Sequence, residues 1–493
     1  MKLKTLLLAF FVCVFSAYAK DPVKPEYLKI NDSTYCYKLE NGLTLFIAEN
    51  HSVPLAYIEI AVRAGGITQT KDNAGLFHLY EHMMFKGNKK FKNSGAVQKA
   101  LSDMGTASWN GTTGIECVNY FFTIPKGELE NGLDFWNNAI RFPLMDKEEF
   151  EVEKKVVISE IQGNVSDPDR YISVYAQKKL FPKAPWQLDP SGSVKNVENA
   201  TVEQLKEIQK HYYIPENAAL FVGGDVSHEE VYELVKKIYG SWSNNGVDIK
   251  EIEGVTVHQS DEPFDKPFYC VIPYEKIPPQ FAHVDIMYRG PDSDFDEKGT
   301  YPADLLTFHL RNPDGKVIKD LLSDKTLKIP SVYDLSVGYS TRRRTGIISF
   351  GASMAGAETK IADRTVYLKE KIDGILNSFL EDDCIVDEES KKGIIRRLED
   401  DRVLESETFK GMLSTLRYNW VSNNIDYYMN YVKNVSEADD EDIRQLLKRY
   451  LKNKNPMIAL IINPAVYEKC RADFDRLGFV EVKAEDAFWW NEE

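Results

Sequence analysis

Paired cysteines and long apolar runs are both scarce in this sequence. Six cysteines are scattered along 493 residues, and no Cys-x-x-Cys spacing occurs. Five of them follow the N-terminal segment, so the pattern supports neither a disulfide framework nor a thiolate zinc site, although one or two isolated bridges stay open. No later stretch is apolar over the roughly 20 residues that a bilayer requires. We therefore expect no transmembrane segment in the mature chain.

Basic residues are also outnumbered. The chain carries 61 lysines and arginines against 76 acidic residues, which gives a formal net charge of -15. Because nucleic acid attracts positive charge, this balance argues against a nucleic-acid partner. Overall disorder is disfavoured as well, since 43% of the residues are apolar. The length of the chain is typical of two domains.

The first 19 residues have the pattern of a secretory signal peptide. Lys2 and Lys4 precede an apolar run over residues 6–15, and the sequence Ala17-Tyr18-Ala19 fits the small-x-small cleavage pattern. The run is too short to cross a bilayer. We predict that residues 1–19 are removed and that the protein is exported, either to the periplasm or out of the cell.

The rest of the chain divides into two halves with a similar order of predicted strands and helices. Around residues 242–263 the composition turns polar and rich in Gly and Asn, which predicts domains over 20–250 and 251–493. In the first half, the alternating stretches GLTLFIAEN and AYIEIAVRAG predict paired strands, and helical patterns follow them. The second half repeats this order, with one helix predicted over 301–322. The predicted fold class is α+β, with helices packed on a mostly antiparallel sheet in each domain.

Histidine is rare, yet two of the eight histidines lie in one apolar stretch, GLFHLYEHMMFKG. On a helix, His78 and His82 share one face because they are four residues apart. Two imidazoles at this spacing reach one metal ion, and Glu81 lies beside the same face without having to be a ligand. This is the H-x-x-E-H order of the inverzincins, which predicts a zinc site in which Glu81 holds a water molecule bound to the metal.

A catalytic zinc ion needs a third protein ligand and one open position. Glu160, in FEVEKKVVISEIQGN, is the candidate, and Glu153 lies seven residues earlier on the same helical face. Glu153 would then orient a ligand or a water molecule. The alternative is a structural role for the histidine pair. Unpaired His and Glu side chains buried in an apolar run would be costly, and a metal ion offsets that cost.

These residues and their surroundings resemble the pitrilysin/insulinase family of zinc metallopeptidases, in its bacterial processing-peptidase-like branch. The resemblance covers most of the mature chain. It implies that His78, His82 and Glu160 bind zinc, that Glu81 is the catalytic base and that Glu153 assists. It also implies two similar bowl-like halves that form part of a clamshell around short or unfolded peptides.

The resemblance also assigns a substrate-binding role to Asn110, in ASWNGTTGIECVNYFF, although Asn-Gly alone favours a plain turn. The second half departs from the family pattern. Ser323 or Asp324 stands where an arginine is expected, and Tyr333 matches the tyrosine that follows it and is predicted to bind substrate. The arginine run at 342–344 is interpreted as a solvated strand end.

The resemblance implies an exported zinc metalloendopeptidase that acts as a homodimer, or as a heterodimer with a related zinc-less subunit that supplies the missing groups. Two alternatives stay open. The chain is a non-catalytic binding or assembly subunit of such a heterodimer, or it is a metal-dependent hydrolase of non-peptide amides. The intact set of His78, Glu81, His82 and Glu160 favours the enzyme over the assembly subunit.

Overall fold

Two sheets, each covered by helices, dominate the chain, which confirms the predicted α+β class. The first sheet is built from residues 27–224 and the second from residues 268–481. The predicted signal peptide lies outside the described residues. The computed structural model describes residues 25–165, 167–182, 184, 189–252 and 261–488.

Seven strands form the first sheet. They are β1 (Tyr27–Asn31), β2 (Thr34–Lys38), β3 (Thr44–Glu49), β4 (Leu55–Val62), β5 (Ser108–Thr113), β6 (Val118–Pro125) and β7 (Ala218–Gly224). Their order across the sheet is β1-β2-β3-β7-β4-β6-β5. The β3–β7 pair is parallel and the other neighbouring pairs are antiparallel.

Nine helices accompany this sheet. They are α1 (Leu76–Met83), α2 (Ser94–Asp103), α3 (Leu129–Arg141), α4 (Lys147–Val165), α5 (Pro168–Leu180), α6 (Val194–Asn199), α7 (Val202–Tyr212), α8 (His228–Tyr239) and α9 (Ile249–Ile252), as counted over the described ranges. Short 3-10 turns lie at Gly66–Thr68, Lys126–Glu128 and Pro215–Asn217.

The second sheet has six strands, β8 (Phe268–Pro273), β9 (Phe281–Gly290), β10 (Leu335–Ser340), β11 (Gly346–Ala355), β12 (Met457–Ile462) and β13 (Val480–Glu481), in the order β10-β11-β9-β12-β8-β13. Its helices are α10 (Glu297–Leu310), α11 (Lys316–Ser323), α12 (Ile361–Ser378), α13 (Glu388–Ser406), α14 (Phe409–Ser422), α15 (Ile425–Glu437), α16 (Asp440–Leu446), α17 (Pro464–Leu477) and α18 (Ala484–Ala487). A π turn (Leu447–Leu451) extends α16, and a 3-10 turn (Val332–Asp334) precedes β10.

The two halves repeat one topology. In chain order, β3 to β7 and β8 to β12 are both arranged first-fifth-second-fourth-third across their sheets, with the first and fifth strands parallel. In each half, two helices separate the second and third strands, and five separate the fourth and fifth. The prediction of two similar domains is therefore confirmed.

Each sheet is covered on one face by a helix from the other half. Strand β4 alternates between two apolar clusters, which explains why its sequence is apolar on both faces, with Glu59 as its one charged residue. Helix α14 covers one of these faces, where Leu413 and Leu416 pack in a cluster with Phe46 and Phe221. Reciprocally, α5 packs on the second sheet. The domain boundary near residue 250 stays a prediction, and the two cores share these helices.

Two sequence predictions for the second half were wrong. The helix predicted over 301–322 is interrupted between α10 and α11, because Pro313 has no backbone N–H and disfavours a helical conformation at Asn312. The arginine run is not a solvated strand end. Arg344 is buried, and its Nε lies 3.1 Å from Asp294 Oδ2, while Arg343 Nε lies 3.2 Å from Asp294 Oδ1.

The cysteines of the described residues are free thiols, at positions 36, 117, 270, 384 and 470. Within the same ranges, none of the helices has the length and apolar character needed to cross a membrane.

Candidate metal centre

Helix α1 carries the two histidines on a face that the core does not cover. Its apolar residues are buried against the first sheet, whereas His78 and His82 are only partly buried. The residue before the helix is Gly75, whose φ of 92° is left-handed. A Cβ atom at Gly192 would lie 2.0 Å from Gly75 Cα, so a side chain at Gly192 would collide with it. This tight contact fixes where α1 begins and therefore where its histidines lie.

Three donor atoms from two helices meet beside α1. His78 Nε2 and His82 Nε2 are 3.3 Å apart, and Glu160 Oε2, from α4, lies 3.4 Å from the first and 3.5 Å from the second. Within the described residues, these three side chains form the group of potential metal ligands whose donor atoms lie close to one another. The predicted metal ligands are therefore close together although 78 residues separate His82 from Glu160.

The size of this triangle fits a zinc ion. Tetrahedral zinc with bonds of about 2.0–2.2 Å to nitrogen and oxygen requires its ligands to be about 3.3–3.5 Å apart. The three observed separations, from 3.3 to 3.5 Å, agree with this value. Two imidazoles and one carboxylate also match the donor set of catalytic zinc sites that keep an open position. The residues present therefore fit the ion that the sequence predicts.

Glu153 contacts His82 at the ring nitrogen that does not face the other donor atoms. Its Oε2 accepts a hydrogen bond from His82 Nδ1 at 2.9 Å, which leaves Nε2 of that ring to face the other two donors. Its Oε1 lies 2.5 Å from Lys86 Nζ. Burial raises the pKa of Glu153, but the bonds to His82 and Lys86 outweigh burial and hold it below its ordinary value. Glu153 is thus in contact with His82 in the way that the predicted orienting role requires.

Replacing Glu153 by glutamine is expected to weaken zinc binding about 10–100-fold, as is typical when a residue that orients a ligand is lost. The amide cannot match the charge of Lys86, and its neutral oxygen is a weaker acceptor for His82 Nδ1, so it stabilises the histidine tautomer that presents Nε2 less than the carboxylate does. The measurement is a competition titration with a zinc-chelating dye. Glu151→Gln, an exposed position on the same helix, is the control. Equal zinc affinity in the wild-type protein and the Glu153 variant would contradict this role.

Glu81 lies next to the triangle without belonging to it. Its side chain is buried, and Thr113 Oγ1, from β5, donates a hydrogen bond to its Oε2 at 2.8 Å. Burial raises the pKa of Glu81, and the neighbouring His78, Thr113 and His82 offset part of that rise. A carboxylate with a raised pKa accepts a proton more readily at neutral pH, which is what a general base requires.

The absence of a side chain at Gly111 leaves room for the Glu81 carboxylate. A Cβ atom at this position would lie 2.8 Å from Glu81 Oε1 and 3.1 Å from Phe85 Cε2. Gly111 and Thr113 are two residues apart on β5 and therefore face the same side of the strand. Sequence reasoning missed both residues, because it considered Gly111 only as part of the Asn-Gly turn signal that competed with a substrate-binding role for Asn110. The strand period would have found them only if β5 had been known to cross α1.

Gly111→Ala is expected to lower kcat for peptide cleavage about 10–100-fold, the usual cost of displacing a catalytic group by about 1 Å. KM should change little, because the backbone of β5 still offers the same hydrogen bonds to a substrate. Gly127→Ala is the matched control, since a Cβ there meets nothing within 4 Å. A variant with wild-type kcat would show that the Glu81 carboxylate does not depend on this gap.

A cavity of about 630 Å³ opens in front of the donor atoms. Asn110 lies in its wall, exposed on β5, as the substrate-binding prediction requires. Tyr333 does not line it: its side chain is 95% exposed in the turn before β10. Asp324, which with Ser323 is one of the two candidates for the expected arginine position, forms an ion pair with Lys371 at 3.0 Å. The structure therefore brings together six of the seven predicted site residues and leaves Tyr333 outside.

Sequence patterns of known families match both halves of the chain. The pattern described as insulinase (peptidase family M16) matches residues 45–186, which include α1 and α4. The pattern described as the inactive domain of peptidase M16 matches residues 199–384. The chain belongs to the pitrilysin/insulinase family of peptidases. Within this family fold, the His78–Glu160 site lies in the half that the insulinase pattern covers.

Curated relatives are similar over part of their length. The β subunit of the mitochondrial processing peptidase of Dictyostelium discoideum is 25% identical over 225 residues, which are 46% of this chain and 48% of that protein. The zinc protease PqqE of Helicobacter pylori is 26% identical over 208 residues, or 42% of this chain and 46% of that protein. The chain thus spans about half the length of the curated relatives it matches.

Solved structures share the fold over most of the chain. A protease from Helicobacter pylori superposes with a TM-score of 0.67 at 18% identity and covers 89% of this chain and 99% of its own. The periplasmic protease PqqL of Escherichia coli gives a TM-score of 0.72 at 16% identity, over 92% of this chain and 50% of its own. The fold of two similar α+β domains is therefore shared with this family.

Proposed function

We propose that this protein is an exported zinc metalloendopeptidase that hydrolyses short or unfolded peptides. The observation that carries the proposal is the triangle of donor atoms from His78, His82 and Glu160, which has the dimensions of a zinc site. Glu81 lies beside it, and an open cavity lies in front of it. Export is supported by the signal-like sequence of residues 1–19 and by the periplasmic protease among the structural neighbours.

Bound zinc would polarise the scissile carbonyl and lower the pKa of a water molecule towards about 7. The side chains around the site supply the proton transfers. Glu81 accepts the proton of the attacking water and then passes it to the leaving amine. Thr113 holds Glu81 through Oε2, so that Oε1 stays available for the proton. Glu153 keeps His82 in the orientation that the reaction needs.

The free edge of the first sheet offers a place for the peptide. Strand β5 is last in the sheet order and, among the described residues, pairs with β6 alone. An extended peptide would add to this edge through backbone hydrogen bonds, a mode that reads the backbone first and side chains second. Asn110 lies on this strand and in the cavity wall, where its amide can bind the peptide backbone.

A second candidate function is a non-catalytic binding or assembly subunit. It is favoured by the second half, which matches a pattern described as inactive and whose described residues contribute neither the expected arginine nor the expected tyrosine to the metal cavity. If cleavage needs those groups, the chain would act as a homodimer or as a heterodimer with a related zinc-less subunit. The complete donor triangle favours the enzyme, because an assembly role does not require it.

The test is a cleavage assay with a set of unstructured, internally quenched peptides. The mature chain is assayed alone and together with a related zinc-less subunit where one is encoded nearby. We expect zinc-dependent cleavage that a chelator removes and added zinc restores. No cleavage by either preparation, with zinc bound at one ion per chain, would favour the assembly subunit.

A further inference from the structure

A second cavity, of about 560 Å³, lies in the second half of the chain. Elements α10, β10, α13, α14 and α15 surround it. The wall is rich in tyrosines and carboxylates and contains, among others, Asp304, Tyr339, Asp401, Glu405, Tyr418 and Tyr431. Nothing in the proposed peptidase mechanism uses these residues.

This cavity is the topological counterpart of the metal cavity. The repeated topology makes α10, β10, α13 and α14 equivalent to α1, β5, α4 and α5, and these sets line the two cavities. Both α4 and α13 are 19 residues long, and β5 and β10 each have six. Among the described residues, no histidine lies in the wall of the second cavity, so this wall does not repeat the donor set of the metal cavity.

Three tyrosines of this wall have hydroxyl groups that already have a hydrogen-bond partner. The hydroxyl of Tyr339 donates to the carbonyl of Pro291 at 2.7 Å, and that of Tyr427 is 2.9 Å from Thr300 Oγ1. The hydroxyl of Tyr418 donates to the carbonyl of Thr341. Because these hydroxyls already have partners, the rings contribute mainly their electron-rich faces, which attract cations.

The charges in the wall are mostly negative. Within the described ranges, the wall contains three carboxyl groups, from Asp304, Asp401 and Glu405, and one basic residue, Arg402. The Arg402 guanidinium lies 4.5 Å above the ring of Tyr428 and donates to that residue's carbonyl. Burial raises the pKa of Glu405, an effect that Arg402 only partly offsets. The wall thus holds more carboxyl groups than its own cation neutralises.

Two further features of the wall favour a ligand that donates hydrogen bonds. Burial raises the pKa of Asp304 to about 7, although Tyr431 and Arg311 act in the opposite direction. Asn423 also lies in the wall, and its buried Oδ1 has no hydrogen-bond partner within the part of the chain that the structure describes. Carboxyl groups without a full counter-charge and an acceptor without a donor are best satisfied by a group that is cationic and carries only donors.

We propose that this cavity binds the guanidinium or ammonium group of a basic side chain in a peptide. Guanidinium stacks on aromatic rings and forms paired hydrogen bonds with carboxylates, so it fits both kinds of wall. The cavity would hold a basic residue of a bound peptide in the half of the molecule that lacks the metal. Such binding is separate from peptide cleavage and is measurable without it.

The test is a calorimetric titration of the mature protein with N-acetyl-arginine amide and with its neutral isostere, N-acetyl-citrulline amide. We expect saturable binding of the arginine probe at one site and at least tenfold weaker binding of the citrulline probe. The double variant Asp401→Asn/Glu405→Gln should bind the arginine probe at least tenfold more weakly. Asp400→Asn, an exposed neighbour outside the wall, should bind it as the wild-type protein does.

Thermal melting of each variant shows that it is folded, which is expected because Asp401 is exposed and Glu405 only partly buried. Three outcomes would overturn the proposal: no saturable binding of the arginine probe, equal binding of both probes, or unchanged affinity in the double variant. Loss of binding in Glu160→Gln, with binding retained in the double variant, would place the probe in the metal cavity and would also overturn it.

Discussion

Replacing Glu81 by glutamine is expected to abolish peptide cleavage while zinc still binds. Glutamine has nearly the same shape and keeps an acceptor for Thr113, but it does not take up a proton from water. Loss of a general base lowers kcat about 10²–10⁴-fold. Zinc affinity should stay close to that of the wild-type protein, because Glu81 lies outside the donor triangle. The measurements are kcat on a quenched peptide and zinc content per chain.

The glutamine variant should also remain folded. Burial raises the pKa of Glu81, so the charged carboxylate is disfavoured in its position, and a neutral amide removes that cost. Glu151→Gln, on the exposed face of α4, controls for the loss of one negative charge and should keep full activity. Cleavage by Glu81→Gln at more than a tenth of the wild-type rate would exclude Glu81 as the base.

Local spacing was enough to predict one half of the candidate site. A separation of four residues on a helix sets the relative positions of His78 and His82, and α1 forms where the apolar pattern indicates it. Neither spacing nor periodicity leads from His82 to Glu160, which lies on another helix. The resemblance to a family added weight to Glu160, and the structure places it within 3.5 Å of both rings.

Contacts between different helices and strands could not be predicted from the sequence. Gly111 and Thr113 act on Glu81 because β5 passes over α1, and no pattern in either segment encodes that crossing. The exchange of α5 and α14 between the two sheets was missed for a similar reason. An apolar helix face indicates burial but does not say which sheet it will cover.

The sequence also did not predict the buried polar contacts between the two halves. Glu116, in the loop between β5 and β6, is buried and accepts hydrogen bonds from Ser422 Oγ and from the backbone N–H of Arg343 at 2.9 Å. The second half thereby holds the hairpin whose edge strand borders the metal cavity. In sequence, these residues are ordinary surface types, and only the fold brings them into one buried cluster.

Replacing Glu160 by glutamine is expected to remove zinc from the protein. The amide is a far weaker ligand than a carboxylate, and two histidines alone leave the ion without a third protein ligand. Zinc affinity should fall by more than about 100-fold, the upper end of what loss of a merely orienting residue costs. Competition with a zinc-chelating dye measures this affinity, and cleavage should be lost with the metal.

Thermal melting separates loss of the ligand from loss of the fold. In the wild-type protein, zinc at 100 times its Kd should stabilise the native state by about 2.7 kcal/mol, because only the folded chain brings the three donors together. The midpoint of Glu160→Gln should match that of the metal-free wild-type protein and should not rise with zinc, since the Glu160 side chain is 46% exposed and supports little packing. Glu151→Gln should respond to zinc as the wild-type protein does. A variant that still gains stability from zinc would mean that another residue supplies the third ligand and that the 3.4 Å and 3.5 Å contacts of Glu160 are not a metal site.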